Sequence, residues 1–176
     1  MKKSLALLLA VLMLICTIGC NSKSIEMTLN DGILENDYFS IDVTGYDDIR
    51  IGEEETGNAT VLAYAISPNQ NGGREVFINI SGGKNGTTPT KDYFEMMANN
   101  PEHPRAVSGE LISYDVRDDV LTVEIQYQID DGSIGYYYQT GRMFDDGTIF
   151  GLHFYDYRGA EKDEIYTNAI ESLTWK

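Results

Sequence analysis

The stretch Val120-Leu121-Thr122-Val123-Glu124-Ile125-Gln126-Tyr127-Gln128-Ile129 decides the fold class of this chain. Leu121, Val123, Ile125, Tyr127 and Ile129 alternate with Thr122, Glu124, Gln126 and Gln128. A period of two belongs to a strand with one apolar and one polar face, whereas a helix needs its apolar residues three and four apart. The chain should therefore be organised around a sheet, and the neighbouring turns should set how that sheet is paired.

Downstream, Asp131-Gly132 suits a two-residue turn, whose central positions both need positive φ. It pairs Ile129 with Ile134, Tyr127 with Tyr136, and Ile125 with Tyr138. Asp145-Asp146-Gly147 fits a three-residue loop with Gly147 in the left-handed position, setting Tyr138 opposite Phe154 and Thr140 opposite Leu152. A two-residue turn there would carry Phe150, Leu152 and Phe154 to the polar face, because a one-residue slip inverts every side chain. Upstream, Arg117-Asp118-Asp119 joins Val120 to a strand from about Gly109 to Val116.

Further strands are expected over Tyr38 to Val43, Ala59 to Ile66 and Glu75 to Ile80, the last two as a hairpin. Gly82-Gly83-Lys84-Asn85-Gly86 reads as a loop. A helix from Thr90 to Ala98, entered through Thr88-Pro89-Thr90, should bury Phe94, Met97 and Ala98. A closing helix from about Ala160 to Leu173 should bury Ile165, Ala169, Ile170 and Leu173, with Trp175 just beyond it. The expected fold is α+β: a twisted antiparallel sheet of about six to seven strands with two packed helices.

The chain opens with Lys2 and Lys3 followed by an apolar run from Leu5 to Ile18, the charge-then-apolar order of a secretory signal. As a helix the run rises about 21 Å against a hydrocarbon core of about 30 Å, too short to span comfortably. Thr17-Ile18-Gly19-Cys20, followed by polar Asn21-Ser22-Lys23-Ser24, resembles the lipobox cut by the lipoprotein signal peptidase. That resemblance implies acylation at Cys20 and anchoring to the outer face of a cytoplasmic membrane. The organisation expected is a signal peptide over residues 1–19, a short tether over 20–32 and one α+β domain over 33–176.

The other cysteine, Cys16, would leave with the signal, so the mature chain would hold no thiol for catalysis, disulfides or cysteine-ligated metal. The formal charge of −15 falls to −15 − 2 = −17 once Lys2 and Lys3 are removed. Such a surface repels polyanions, so no nucleic-acid partner is expected, and anionic wall polymers and acidic headgroups are poor partners.

The order of elements, from the strand over Tyr38 to Val43 through the Thr90 to Ala98 helix and three long strands to a closing helix ending Ile170-Glu171-Ser172-Leu173, resembles the PsbP/Mog1-like fold. The resemblance covers roughly residues 33 to 176 and implies a non-enzymatic accessory or binding protein.

Motifs for chemistry are sparse. His103 and His153 are the two histidines, and no serine occupies a Gly-x-Ser-x-Gly elbow. His103, between Glu102 and Pro104, is expected to be a solvated loop residue. No His-Glu-x-x-His spacing, phosphate-binding glycine loop or calcium-loop pattern occurs, so neither metal nor cofactor is expected. Asp118-Asp119, Asp130-Asp131 and Asp145-Asp146 fall at hairpin tips, where aspartate serves turn geometry, and Glu53-Glu54-Glu55 reads as a solvated loop. What remains is a surface: Glu124, Gln126, Gln128, Tyr137, Gln139, His153 and Tyr155 should share one sheet face suited to a glycan or peptide. The function expected is a membrane-anchored extracytoplasmic binding or accessory module, not an enzyme. The alternative is a secreted hydrolase acting on wall glycan or peptide.

Overall fold

A computed structural model describes residues 24–56, 59–68, 75–84, 86–101, 103–157 and 161–176. The expected signal peptide and Cys20 lie outside the described residues. In chain order the strands are β1 (Thr28–Asn30), β2 (Ile33–Glu35), β3 (Phe39–Asp42), β4 (Asp48–Thr56), β5 (Ala59–Pro68), β6 (Glu75–Lys84), β7 (Ala106–Arg117), β8 (Val120–Ile129), β9 (Ile134–Met143), β10 (Thr148–Asp156) and β11 (Thr174–Trp175). The helices are α1 (Lys91–Asn99), between β6 and β7, and α2 (Glu164–Ser172), between β10 and β11.

A seven-stranded sheet runs β4-β5-β6-β10-β9-β8-β7 and a four-stranded sheet runs β1-β2-β3-β11. Among the described residues every pairing is antiparallel, and they form an α+β fold with two helices on a large antiparallel sheet, as the alternation predicts.

Both faces of the large sheet are packed, each over a different part. One face carries Val76, Ile78 and Ile80 of β6, Phe150, Leu152 and Phe154 of β10, and Tyr136 of β9 under α2 and the small sheet. Helix α2 contributes Tyr166 and Ala169 to this core, with Ile165, Ile170 and Leu173 partly buried beside them. It begins at Glu164 rather than near residue 160 because the Asp163 carboxylate accepts from the Ile165 amide at 2.9 Å and caps it there; residues 158–160 lie outside the described residues. On the other face Phe94 and Ala98 of α1 pack on Leu121, Val123, Ile125, Tyr127 and Tyr137, with Met97 at the edge of that core.

Three expectations change. Glu53-Glu54-Glu55 belongs to edge strand β4, bulged between Ile51 and Glu54, and not to a loop. Thr28–Asn30, inside the expected tether, pairs with β2 as a hairpin whose Asp31-Gly32 turn has φ of 49° and 80°. Strand β6 continues through Gly82 and Gly83 to Lys84, because Gly82 lies under the Phe150 ring, where a Cβ would come within 2.6 Å of Cδ1.

The largest correction concerns the β8–β9 hairpin. Ile125 lies opposite Tyr137, Gln126 opposite Tyr136 and Glu124 opposite Tyr138, one residue away from the pairing a two-residue turn would give. The loop holds three residues, Asp130, Asp131 and Gly132. The Gly132 amide donates to Ile129 O at 3.0 Å, the Ile129 amide donates to Ser133 O at 2.9 Å, and Gly132 has φ of 85°. The Asp131 carboxylate locks it by accepting from the Ser133 amide at 3.0 Å and the Ser133 hydroxyl at 2.6 Å. The β9–β10 loop repeats this geometry at Asp145-Asp146-Gly147, with Asp146 accepting from the Thr148 amide at 3.0 Å and Gly147 at φ 79°. There the expected register, Tyr138 opposite Phe154 and Thr140 opposite Leu152, is the observed one.

Candidate functional site

The slip divides the surface that the alternation assembles. Tyr137, Gln139, His153 and Tyr155 do share a face, with His153 opposite Gln139 and Tyr155 opposite Tyr137. Glu124 and Gln126 stand on the opposite face, because they pair with Tyr138 and Tyr136. The six residues are therefore not one site.

On its face Glu124 accepts an ion pair from Lys162 at 2.6 Å, and Lys162 also lies 5.4 Å from the Tyr136 ring centroid. Glu124 thus ties down the chain leading into α2. Gln126, Gln128, Glu110, Ser108 and Ile134 line a shallow open groove of about 270 Å³. Its polar lining carries no paired acid and base, and it lacks the enclosure of a small-molecule cleft.

The α1 face is different. Tyr137 is fully buried and Gln139 nearly so, while His153 and Tyr155 are half-buried. The Tyr137 hydroxyl donates to Gln139 Oε1 at 2.6 Å and lies 3.0 Å from His153 Nδ1. His153 Nε2 lies 3.3 Å from the Ser81 hydroxyl, which also donates to Gly151 O at 3.4 Å. The result is an uncharged relay of contacts that links Ser81, His153, Tyr137 and Gln139. Asn79, opposite His153 on β6, adds a buried Oδ1 that finds no hydrogen-bond partner among the described residues. Phe77 and Tyr155 stack at 4.1 Å beside the relay. Asn79 was legible only as a strand residue and Ser81 only as the residue between that strand and the expected Gly82 to Gly86 loop, because β6 joins β10 through pairing across some seventy positions.

Burial lowers the His153 pKa from 6.5 to about 4, so the ring is neutral near neutral pH and a weak base there. Between these two values the unfolded chain binds a proton that the folded chain does not, so this group's contribution to stability is complete above pH 6.5 and declines as pH falls toward 4. His153→Gln should lose less thermal stability than the native chain between pH 7 and pH 4.5, read as the difference in Tm; equal losses would show that His153 does not titrate in this way.

His103 is not the solvated residue expected. Its ring stacks on Tyr157 at 3.9 Å and its Nδ1 accepts from the Arg105 amide at 3.2 Å. The paired aspartates serve turns: Asp131 and Asp146 cap their loops as described, and Asp118 and Asp119 adopt φ of 52° and 62° in the β7–β8 turn. Arg105 bridges Asp130 and Asp131 at 2.8 and 3.0 Å. Among the described residues no three His, Cys, Asp or Glu side chains converge as a metal site, and no helix is long and apolar enough to cross a membrane. No protein-family model and no curated protein matches the chain.

Proposed function

We propose that this chain is exported, acylated at Cys20 after loss of residues 1–19, and held on the outer face of the cytoplasmic membrane, where its α+β domain acts as a non-enzymatic binding or accessory module. The observation that carries the binding role is the uncharged relay of Ser81, His153, Tyr137 and Gln139. It holds the polar groups of Ser81 and His153 in fixed positions at a partly buried part of the sheet, with a histidine too weakly basic near neutral pH for efficient proton transfer. The Ser24 amide already donates to Asp37 at 2.6 Å, so the chain from Cys20 to Ser24 reaches at most about 14 Å. The domain would sit against the membrane rather than beyond the wall. The PsbP/Mog1-like resemblance of the element order in the sequence implies the same accessory role.

Replacing Cys20 with alanine in the native host should release the protein from the membrane fraction and abolish incorporation of labelled fatty acid. Unchanged retention and label would remove the anchor from the proposal.

The Ser81–His153 contact favours a second reading, a serine hydrolase acting on wall glycan or peptide. Against it, Ser81 lies mid-strand, with its Gly151 neighbour committed to the same ladder, and not on the exposed turn that presents a nucleophile. A fluorophosphonate probe should leave Ser81 unlabelled; stoichiometric labelling lost in Ser81→Ala would favour the hydrolase.

A further inference from the structure

The last strand of the large sheet leaves one side of its backbone unclaimed. β7 has twelve residues and, among the described residues, pairs with β8 alone. In an antiparallel ladder alternate residues turn both N–H and C=O away from the neighbour, so such an edge is a template for a further strand. Natural edges are blunted by lysine, proline or bulges. β7 holds neither lysine nor proline, and Val107, Ile112 and Val116 are 62%, 44% and 50% exposed along it. Its pairing with β8 steps past Val107 and Ile112 at two bulges. These interrupt the edge without closing it: between them residues 108–111 keep a regular ladder with Gln128, Tyr127, Gln126 and Ile125. That stretch is bracketed by two exposed β-branched side chains.

Side chains of an added strand would stand beside those of β7 and alternate between the two faces. On one face they meet the groove of about 270 Å³ that Ser108, Glu110, Gln126, Gln128 and Ile134 line. Glu110 is exposed there and forms no ion pair among the described residues. The neighbouring acids are committed, Glu124 to Lys162 at 2.6 Å and Asp115 to Arg117 at 3.1 Å. A cation beside Glu110 therefore finds an unused carboxylate in a chain of net charge −15. On the other face Leu111 packs partly buried against the core under α1, so the positions beside it suit apolar side chains. A second copy of this chain would bring the same negative charge and another Glu110, which disfavours pairing between copies.

We propose that residues 108–111 of β7 take up an extended basic peptide segment of a partner protein as an added edge strand. Its lysine or arginine side chains lie over the groove beside Glu110, and its apolar side chains lie on the α1 face, between Val107 and Ile112. This surface shares no residue with the relay of Ser81, His153, Tyr137 and Gln139 and does not rest on it.

The test titrates the full lipidated chain, in an uncharged detergent, into a fluorescently labelled peptide that alternates lysine and valine, followed by anisotropy. Saturable binding is expected, and none with the counterpart that has glutamate for lysine. N-methylation of the peptide on its lysines or on its valines keeps the charge, and at least one of the two should abolish binding, because it removes the donors that face β7. Ile112→Lys places a cation on the edge and should weaken binding by at least about tenfold. Glu110→Gln should weaken it about threefold and reduce its dependence on salt. If Ile112→Lys melts early, Val107→Lys replaces it, since Val107 is the more exposed. Absence of binding overturns the partner class. Binding that N-methylation and both substitutions leave unchanged is attraction to the net charge and overturns the site. A dimer of the peptide-free chain that Ile112→Lys dissolves assigns the edge to a second copy and overturns the peptide. Each of these failures leaves the anchored-module reading standing, because that reading falls with Cys20→Ala fractionation or Ser81 labelling.

Discussion

Phe150→Ala should destabilise the domain by about 3–5 kcal/mol, the range for removing a fully buried aromatic ring. Phe150 is 0% exposed and sits where the two sheets meet. Its ring lies 5.1 Å from Tyr38, 5.3 Å from Phe39 and 6.3 Å from Phe144. Phe39 continues to Trp175 at 5.8 Å, so a single cluster joins β3, β10, the β9–β10 loop and the chain end. The loss has a second source. Gly82 is glycine to admit this ring, so truncation leaves a void that backbone on one side cannot fill by rotating a side chain. Against a typical total of about 5–15 kcal/mol this is a large fraction, and Tm should fall by on the order of 10 °C. Denaturant melts at fixed pH measure it. A cost below about 1.5 kcal/mol, the range of volume-conserving swaps, would mean that the small sheet does not pack on β10 as described.

Tyr137→Ala should cost a similar amount, about 3–5 kcal/mol, and this change decides the register. In the observed pairing Tyr137 is opposite Ile125, packs beneath α1 with Phe94 and is 0% exposed. Its loss opens a cavity and also leaves Gln139 and His153 without the hydroxyl between them, adding the cost of unpaired buried polar groups. With a two-residue turn at Asp131-Gly132, Tyr137 would stand on the polar face with Gln126, and truncation would be mild. Gln126→Ala is the control: it lines an open groove on the other face and should stay within about 0.5 kcal/mol. If Tyr137→Ala matches that control, the β8–β9 pairing is shifted and the relay is not assembled.

The turn chemistry that sets this register was present in the sequence. Asp130-Asp131-Gly132 and Asp145-Asp146-Gly147 are the same tripeptide, and they adopt the same three-residue loop with glycine in the left-handed position. Identical tripeptides carry the same turn preference, so the loop at Asp145-Asp146-Gly147 implies the one at Asp130-Asp131-Gly132. The apolar alternation alone does not distinguish the two registers, because both faces of the sheet are apolar somewhere: Ile125 would find a core beside either Tyr138 or Tyr137. Where one face alone is buried, a slip is penalised at every second residue, as Phe150, Leu152 and Phe154 show at β10.

Local pattern therefore determined much by itself. The strands over residues 120–129 and 134–143, the hairpin of β5 and β6, helix α1 with Phe94 and Ala98 inward, and the α+β class all follow from residues within a few positions of one another, because strand and helix periods are local properties. The N-terminal signal pattern is likewise contiguous chemistry. Tertiary structure decided what lies on which face. Ser81 meets His153 across seventy-two residues, Tyr38 donates to Asp146 across one hundred and eight, and both contacts exist only because β6 pairs with β10 and β3 packs beneath the β9–β10 loop. The relay on the α1 face and the separation of Glu124 and Gln126 from it are consequences of strand order and register. Those are settled by the packing of two cores against one sheet, a competition that no single segment encodes.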